Sequence, residues 1–170
     1  DALQTLFNYA KDANADGVHF PIWGTCLGFE ELLILGANDP NALDTGFDSR
    51  NFSLPLVLQA PALHSRLFTS MPDYILDIVT KQNVTYNNHA AGMTPEHLTN
   101  HPELNAMFDV LSVNDDKKGR RFVSTIEGKK LPFYGVQWHP EKAMYEWNPT
   151  SAFNHSRDSI ELNSWTARFF

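Results

Sequence analysis

Only one cysteine, Cys26, occurs among the 170 residues, so no disulfide can form within the chain. That count by itself does not fix the compartment. Basic residues are also scarce: 13 Lys and Arg face 20 Asp and Glu, a formal charge of −7. Phosphate backbones are bound by clustered Lys and Arg, so this balance argues against a nucleic-acid surface. The few basic clusters, Lys117-Lys118 with Arg120-Arg121 and Lys129-Lys130, read as solvated hairpin ends. No apolar run approaches the roughly 20 residues of a membrane-spanning helix. Internal repeats and low-complexity linkers are missing too, which leaves residues 1–170 as one domain. What is present is core material: 42% of the residues are hydrophobic and 12% aromatic, sufficient for a packed interior.

The lone thiol lies in Trp23-Gly24-Thr25-Cys26-Leu27-Gly28-Phe29-Glu30. An apolar run from Val18 to Trp23 leads in as a strand, and a run from Phe29 to Leu35 leads out as a helix. Glycines at 24 and 28 let the backbone bend and let a substrate come close. The following helix directs its partial positive end at the sulfur, favouring thiolate over thiol. A buried structural cysteine is the ordinary fate of a lone Cys, but it leaves both glycines without a purpose. Cys26 is therefore the candidate nucleophile, and the backbone N–H of Leu27 the candidate oxyanion donor.

Far downstream comes Gly135-Val136-Gln137-Trp138-His139-Pro140-Glu141. Leu131 to Trp138 reads as a strand that delivers His139 at its C-terminal end, and Pro140 stops it. Glu141, two residues on, can hold the imidazole in one tautomer. A nucleophilic thiol needs a base and the base needs an orienting group, and Cys26, His139 and Glu141 supply the three. His139 and Glu141 have no third ligand at helical or Cys-x-x-Cys spacing, so neither metal nor cofactor is expected.

Elsewhere, Ala2 to Ala13 carries Leu3, Leu6, Phe7 and Ala10 on a helical stripe that ends at Asp16-Gly17. Gly36 to Ser53, rich in Gly, Asn, Asp and Pro, reads as a surface connection. Leu54 to Gln59 reads as a short strand, Asp73 to Lys81 as a helix, and Val84 to Asn88 as a strand leading to His89 in a polar loop. Thr94 caps a helical turn with Pro95 in its first position. Phe108 to Asn114 and Arg121 to Glu127 alternate about a Lys-Lys-Gly turn as a hairpin. Ser156 caps a last helix running to Phe170. This order predicts an α/β fold, a three-layer sandwich about a mostly parallel central sheet. Opening on a helix that feeds the nucleophile strand leaves that sheet without its first strands. The expectation is thus the central and C-terminal portion of a longer protein.

The pairing of Gly-x-Cys-x-Gly with a distant His-Pro-Glu resembles the class I glutamine amidotransferase superfamily. The longer stretches "FPIWGTCLGFEELLIL", "LHSRLF", "FDVLSVNDD" and "FVSTIEGKKLPFYGVQWHPEKAMYEW" look like the γ-glutamyl hydrolase branch over nearly the whole chain. Amidotransferase domains usually carry glutamine where this chain has Glu30, and the "HPEKAMYEW" extension also favours the hydrolases. The resemblance implies thiol-dependent cleavage of γ-glutamyl bonds in folate or antifolate poly-γ-glutamates through a thioester. It also implies a glycine-rich loop, ahead of this chain, that completes the oxyanion hole. It further assigns His89, a second functional histidine, to substrate positioning as a donor to an amide or carboxylate. Arg66 is the candidate for holding the anionic substrate beside the cleft. The partners expected are poly-γ-glutamylated folates or related γ-glutamyl peptides, a second copy of the chain, and an N-terminal portion of the same precursor.

Asn51-Phe52-Ser53, Asn83-Val84-Thr85 and Asn154-His155-Ser156 fit the N-glycosylation pattern, whereas Asn148-Pro149-Thr150 is excluded by its proline. Together with the resemblance they favour the secretory route and a lysosomal or secreted destination. No basic-then-apolar leader opens the chain. Two alternatives stay open: the glutaminase domain of a biosynthetic amidotransferase, which would hydrolyse glutamine alone, and an inactive fragment or binding protein that keeps the fold, whose thiol would be unreactive.

Overall fold

The structure, a computed structural model, describes residues 2–170. Helix α1 (Ala2–Ala15) leads to the short strand β1 (Ile22–Thr25) and helix α2 (Leu27–Ala37). Strands β2 (Asp44–Leu54) and β3 (Val57–Leu58) come next, then a 3-10 turn over Ala60–His64, α3 (Arg66–Thr69) and α4 (Asp73–Lys81). Strand β4 (Thr85–Gly92), helices α5 (Pro95–Asn100) and α6 (Pro102–Met107), and strands β5 (Phe108–Asp115), β6 (Arg121–Gly128) and β7 (Phe133–Val136) occupy the second half. Helices α7 (Lys142–Tyr145) and α8 (Arg157–Phe169) complete it. Capping follows the sequence signals: Thr94 and Ser156 accept from the N–H groups of His97 and Ser159, and Gly17 takes φ 81° just past α1.

The main sheet has the order β1-β7-β6-β5-β3. Its alternation distributes side chains to two apolar interiors. On one face Phe133 and Ile126 pack with Phe7 and Ala10 of α1 and Phe29, Leu32 and Leu33 of α2. On the other, Val136 and Leu111 pack with Ile75 and Val79 of α4 and Leu162 and Trp165 of α8. Each of these large side chains contributes roughly 1.5–3 kcal/mol by leaving water. Helices thus cover both faces, the expected three-layer α/β arrangement. Parallel pairing is confined, among the described residues, to β1 with β7, where Thr25 lies opposite Val136; the other ladders of this sheet are antiparallel. For β5 with β6 and β6 with β7 the reason is local: the turns after β5 and β6 are too short for a parallel crossover.

The stretch read as a surface connection contains a strand. Residues of β2 pair antiparallel with β4 in a second, two-stranded sheet, with register breaks on either side of Ser49. Gly46 and Asn51 adopt φ 84° and φ 54°. These left-handed residues and a largely polar outer face erase the alternation that would have marked a strand. Strand β4 in turn extends through His89, so that histidine lies inside a strand rather than after one.

Candidate active site

Three backbone hydrogen bonds bring the site together. The Cys26 N–H donates to the Val136 carbonyl at 2.8 Å, fastening the nucleophile turn to the end of β7. One residue on, the Gln137 N–H donates to Ser124 of β6 at 2.9 Å, and the His139 N–H donates to Tyr86 of β4 at 2.8 Å. Both sheets therefore hold the segment that carries the imidazole.

Cys26 occupies the N-cap of α2 with φ 50° and ψ −100°. A side chain rarely adopts that conformation, which costs on the order of 1–3 kcal/mol and persists only where the surroundings enforce it. The bend is taken by the cysteine itself; its flanking glycines serve space instead. A Cβ at Gly24 would stand 2.4 Å from the Gly28 carbonyl oxygen, so only glycine lets the first turn of α2 sit this close to β1. A Cβ at Gly28 would meet nothing within 4 Å, and the room beside the thiol's helix stays open. Leu27, 66% exposed, begins α2, so its N–H is among the first-turn donors without an intrahelical partner. That donor belongs to the residue directly after the cysteine.

His139 Nδ1 makes a 2.6 Å hydrogen bond with Glu141 Oε1, and Cys26 lies close enough to act on the imidazole electrostatically. A carboxylate only accepts, so Nδ1 carries a hydrogen and Nε2 is left for the thiol. Burial pushes the imidazole pKa down, yet the interactions with Cys26 and Glu141 outweigh it and raise the value to about 9. For Glu141 burial works upward, but the His139 hydrogen bond and the nearby His139 and Lys142 charges leave the carboxyl below its ordinary range. Such mutual shifts are those of an imidazolium held against a carboxylate. An apolar recess of about 380 Å³ opens beside Glu141, with Trp23, Tyr145 and Phe170 among its walls.

His89 is close enough to His139 for the two charges to interact, but it is only 4% exposed and is packed against Phe47 and Phe122. Its Nδ1 lies 2.8 Å from the Ala91 carbonyl, so that nitrogen donates, while Nε2 is buried without a partner. Burial drives its pKa down to about 4. The expected role is that of a donor to substrate; as placed, the one N–H of the neutral ring is spent on Ala91. A stability consequence follows. Between about pH 6.5 and pH 4 the unfolded chain binds a proton at position 89 that the folded chain refuses. Stability from neutral His89 is therefore present above about pH 6.5 and is lost as pH falls toward 4. His139 has the opposite sign, but its contribution is already complete below about pH 6.5. Denaturant unfolding at pH 7 and pH 4.5 should show His89→Gln losing about 2 kcal/mol less than the parent over that interval; equal losses would contradict it.

Arg66 is not brought to the site. Its guanidinium binds the Gly128 and Leu131 carbonyls at 2.6 and 2.9 Å, the Tyr134 hydroxyl at 3.1 Å and Glu127 at 3.2 Å. These partners form the turn into β7, the end opposite Cys26 and His139. Glu127 also accepts from the N–H groups of Arg66 and Leu67, so the pair secures the start of α3 and is a framework contact. Of the sequon asparagines, the Asn51 amide donates to Thr150 O at 3.1 Å and the Asn154 amide to Asn83 O at 2.9 Å. A glycan at Asn51 or Asn154 would take one of the two hydrogens of an amide already engaged in those bonds. Gln137 is a site residue to which sequence reasoning gave no role: its side-chain amide nitrogen lies 3.9 Å from Cys26 Sγ and 3.1 Å from Glu30 Oε1. The available signal was an amide inside the apolar run from Phe133 to Trp138.

This chain belongs to the glutamine amidotransferase class-I family, whose model matches residues 7–158. Within that class its similarity is to γ-glutamyl hydrolases. It is 39% identical over 168 residues to "Gamma-glutamyl hydrolase B" of Dictyostelium discoideum, covering 99% of this chain and 48% of that protein. It is 38% identical over 165 residues to "Gamma-glutamyl hydrolase" of Homo sapiens, covering 97% and 51%. To "Probable gamma-glutamyl hydrolase 3" of Arabidopsis thaliana it is 31% identical over 170 residues, covering 99% and 48%. The chain spans about half the length of these relatives.

Proposed function

We propose that this chain carries the thiol machinery of a γ-glutamyl hydrolase, cleaving γ-glutamyl bonds through a thioester. The observation that carries the reading is the strained Cys26 at the N-cap of α2, electrostatically coupled to an imidazole that Glu141 orients. The Cys26 thiolate attacks the γ-carbonyl carbon, and the Leu27 N–H takes the developing oxyanion. Imidazolium His139 gives its proton to the leaving amine as the C–N bond breaks, leaving a thioester. A water then loses a proton to His139, attacks the thioester carbon, and releases the γ-carboxylate and the Cys26 thiolate.

The relatives' names support γ-glutamyl peptides as the substrate class. The hydrolase-like stretches of sequence support poly-γ-glutamylated folates and antifolates in particular, and the three sequons support a lysosomal or secreted location. Asn83, whose side chain is not engaged like those of Asn51 and Asn154, is the first sequon to examine for glycan.

The test is to offer the chain a γ-linked glutamyl peptide and, separately, free glutamine, with and without prior treatment with iodoacetamide. Release of amine from the peptide alone, abolished by alkylation, is expected. Hydrolysis of glutamine alone would establish the glutaminase reading instead. No turnover, together with an unreactive Cys26, would establish a binding role.

A further inference from the structure

Buried beneath the nucleophile is a carboxylate for which the thiol mechanism has no use. Glu30 lies one turn along α2 from Cys26 and is 9% exposed. Its side-chain hydrogen bond comes from Gln137 Nε2 at 3.1 Å, and that same nitrogen reaches Cys26 Sγ at 3.9 Å. The two N–H bonds of one amide thus point at a carboxylate and a sulfur. The other end, Gln137 Oε1, is buried without a donor. A Cβ at Gly92 would stand 3.1 Å from that oxygen, so the glycine keeps room for the amide head.

We infer that Gln137 is a positioning residue for the nucleophile, and that Glu30 fixes which end of its amide faces the sulfur. The argument is one of donors and acceptors. Turning the amide over would set Oε1 against two acceptors, the carboxylate and the thiolate, in surroundings where an unmatched polar pair costs most. The observed orientation leaves Oε1 unpartnered instead, and the acceptor on Glu30 is what holds it there. The nitrogen then offers its second hydrogen to the sulfur, a contact worth more when sulfur is anionic than when it is a thiol. Desolvation raises the Glu30 pKa and the like charge of Glu31 adds to this, while the Gln137 hydrogen bond opposes both. The charged or titratable groups around the sulfur are Glu30, Glu31, His139 and, beyond it, Glu141 and His89.

This inference rests on Cys26 being the nucleophile, and its test needs no substrate. Because Cys26 is the single cysteine, iodoacetamide alkylation reports on it alone. Alkylation rates against pH would be compared for the parent, Gln137→Met, Glu30→Leu and the near-isosteric Glu30→Gln, with thermal melts alongside. Gln137→Met and Glu30→Leu should each react about tenfold more slowly near pH 5.5 while keeping high-pH rates within twofold of the parent. Glu30→Gln, which retains an acceptor oxygen, should recover most of the loss seen in Glu30→Leu. If Glu30→Leu does not fold, Glu30→Gln and Gln137→Met decide: a parental profile in Gln137→Met overturns the inference. A Glu30→Gln profile as slow as that of Gln137→Met overturns the part assigned to Glu30. A parent protein whose thiol is itself inert would instead remove the hydrolase reading, a separable result.

Discussion

Replacing Cys26 with alanine is expected to abolish cleavage of γ-glutamyl peptides, by a factor on the order of 10⁴–10⁶, without unfolding the protein. The magnitude is that of removing the nucleophile from an acyl-transfer machinery whose members act as a unit. The fold should survive because alanine keeps the Cβ, and with it whatever strain the φ of 50° at this position imposes. Cys26→Gly separates the two properties. Glycine visits this region freely, so that variant should be equally inactive and yet more stable than the alanine variant by about 1 kcal/mol. Measured rates and denaturation midpoints for the pair check both statements. Retention of a tenth of the parental activity in either variant would remove Cys26 from its role. A glycine variant less stable than the alanine one would show that the turn is held without strain.

The elements that the sequence announces are those whose signals are local. The turn at Cys26 is marked by its glycines, the β5–β6 hairpin by alternation and a Lys-Lys-Gly turn, and α8 by a capping serine; all three are in place. What the sequence hides depends on distant partners. Strand β1 is only four residues long, because its described partner β7 offers only Phe133–Val136 to pair with, and Val18 to Pro21 stay outside it. Strand β2 has no alternation to read, since Gly46 and Asn51 twist it and only its pairing with β4 makes it a strand. Arg66, the candidate for holding an anionic substrate beside the cleft, is paired instead with Glu127, a carboxylate 61 positions along the chain. His89 reads as a solvated loop residue among Asn87, Asn88 and Ala90, and only the three-dimensional packing shows Phe47 and Phe122 closing over it. Glu30 and Gln137 were both visible as letters, but the 3.1 Å bond between them is a product of α2 crossing the end of β7.

His139→Asn is expected to be nearly as damaging as loss of the thiol, whereas Glu141→Gln should reduce turnover only about 10- to 100-fold. Asparagine removes the group that takes and returns the proton in both halves of the reaction. Glutamine at 141 can still accept from Nδ1 through its amide oxygen, so the useful tautomer persists and only the charge is lost. Glu141 is also half exposed, at 50% of its side chain, and water there softens the loss further. The imidazole itself supplies the independent readout. Its pKa near 9 is raised against burial by Cys26 and by Glu141. Removing either partner alone should lower it, and Cys26→Ala combined with Glu141→Gln should lower it most, because burial then acts unopposed. NMR titration of the histidine Cε1–H resonances, with His139→Asn assigning the signal, would show this. A resonance that titrates near 9 in the double variant would mean that neither contact raises it. Parental activity in His139→Asn at every pH would mean that another base serves the thiol. His89, neutral over the working range with a bare Nε2 and close enough to His139 to interact with it, would then be the residue to substitute next.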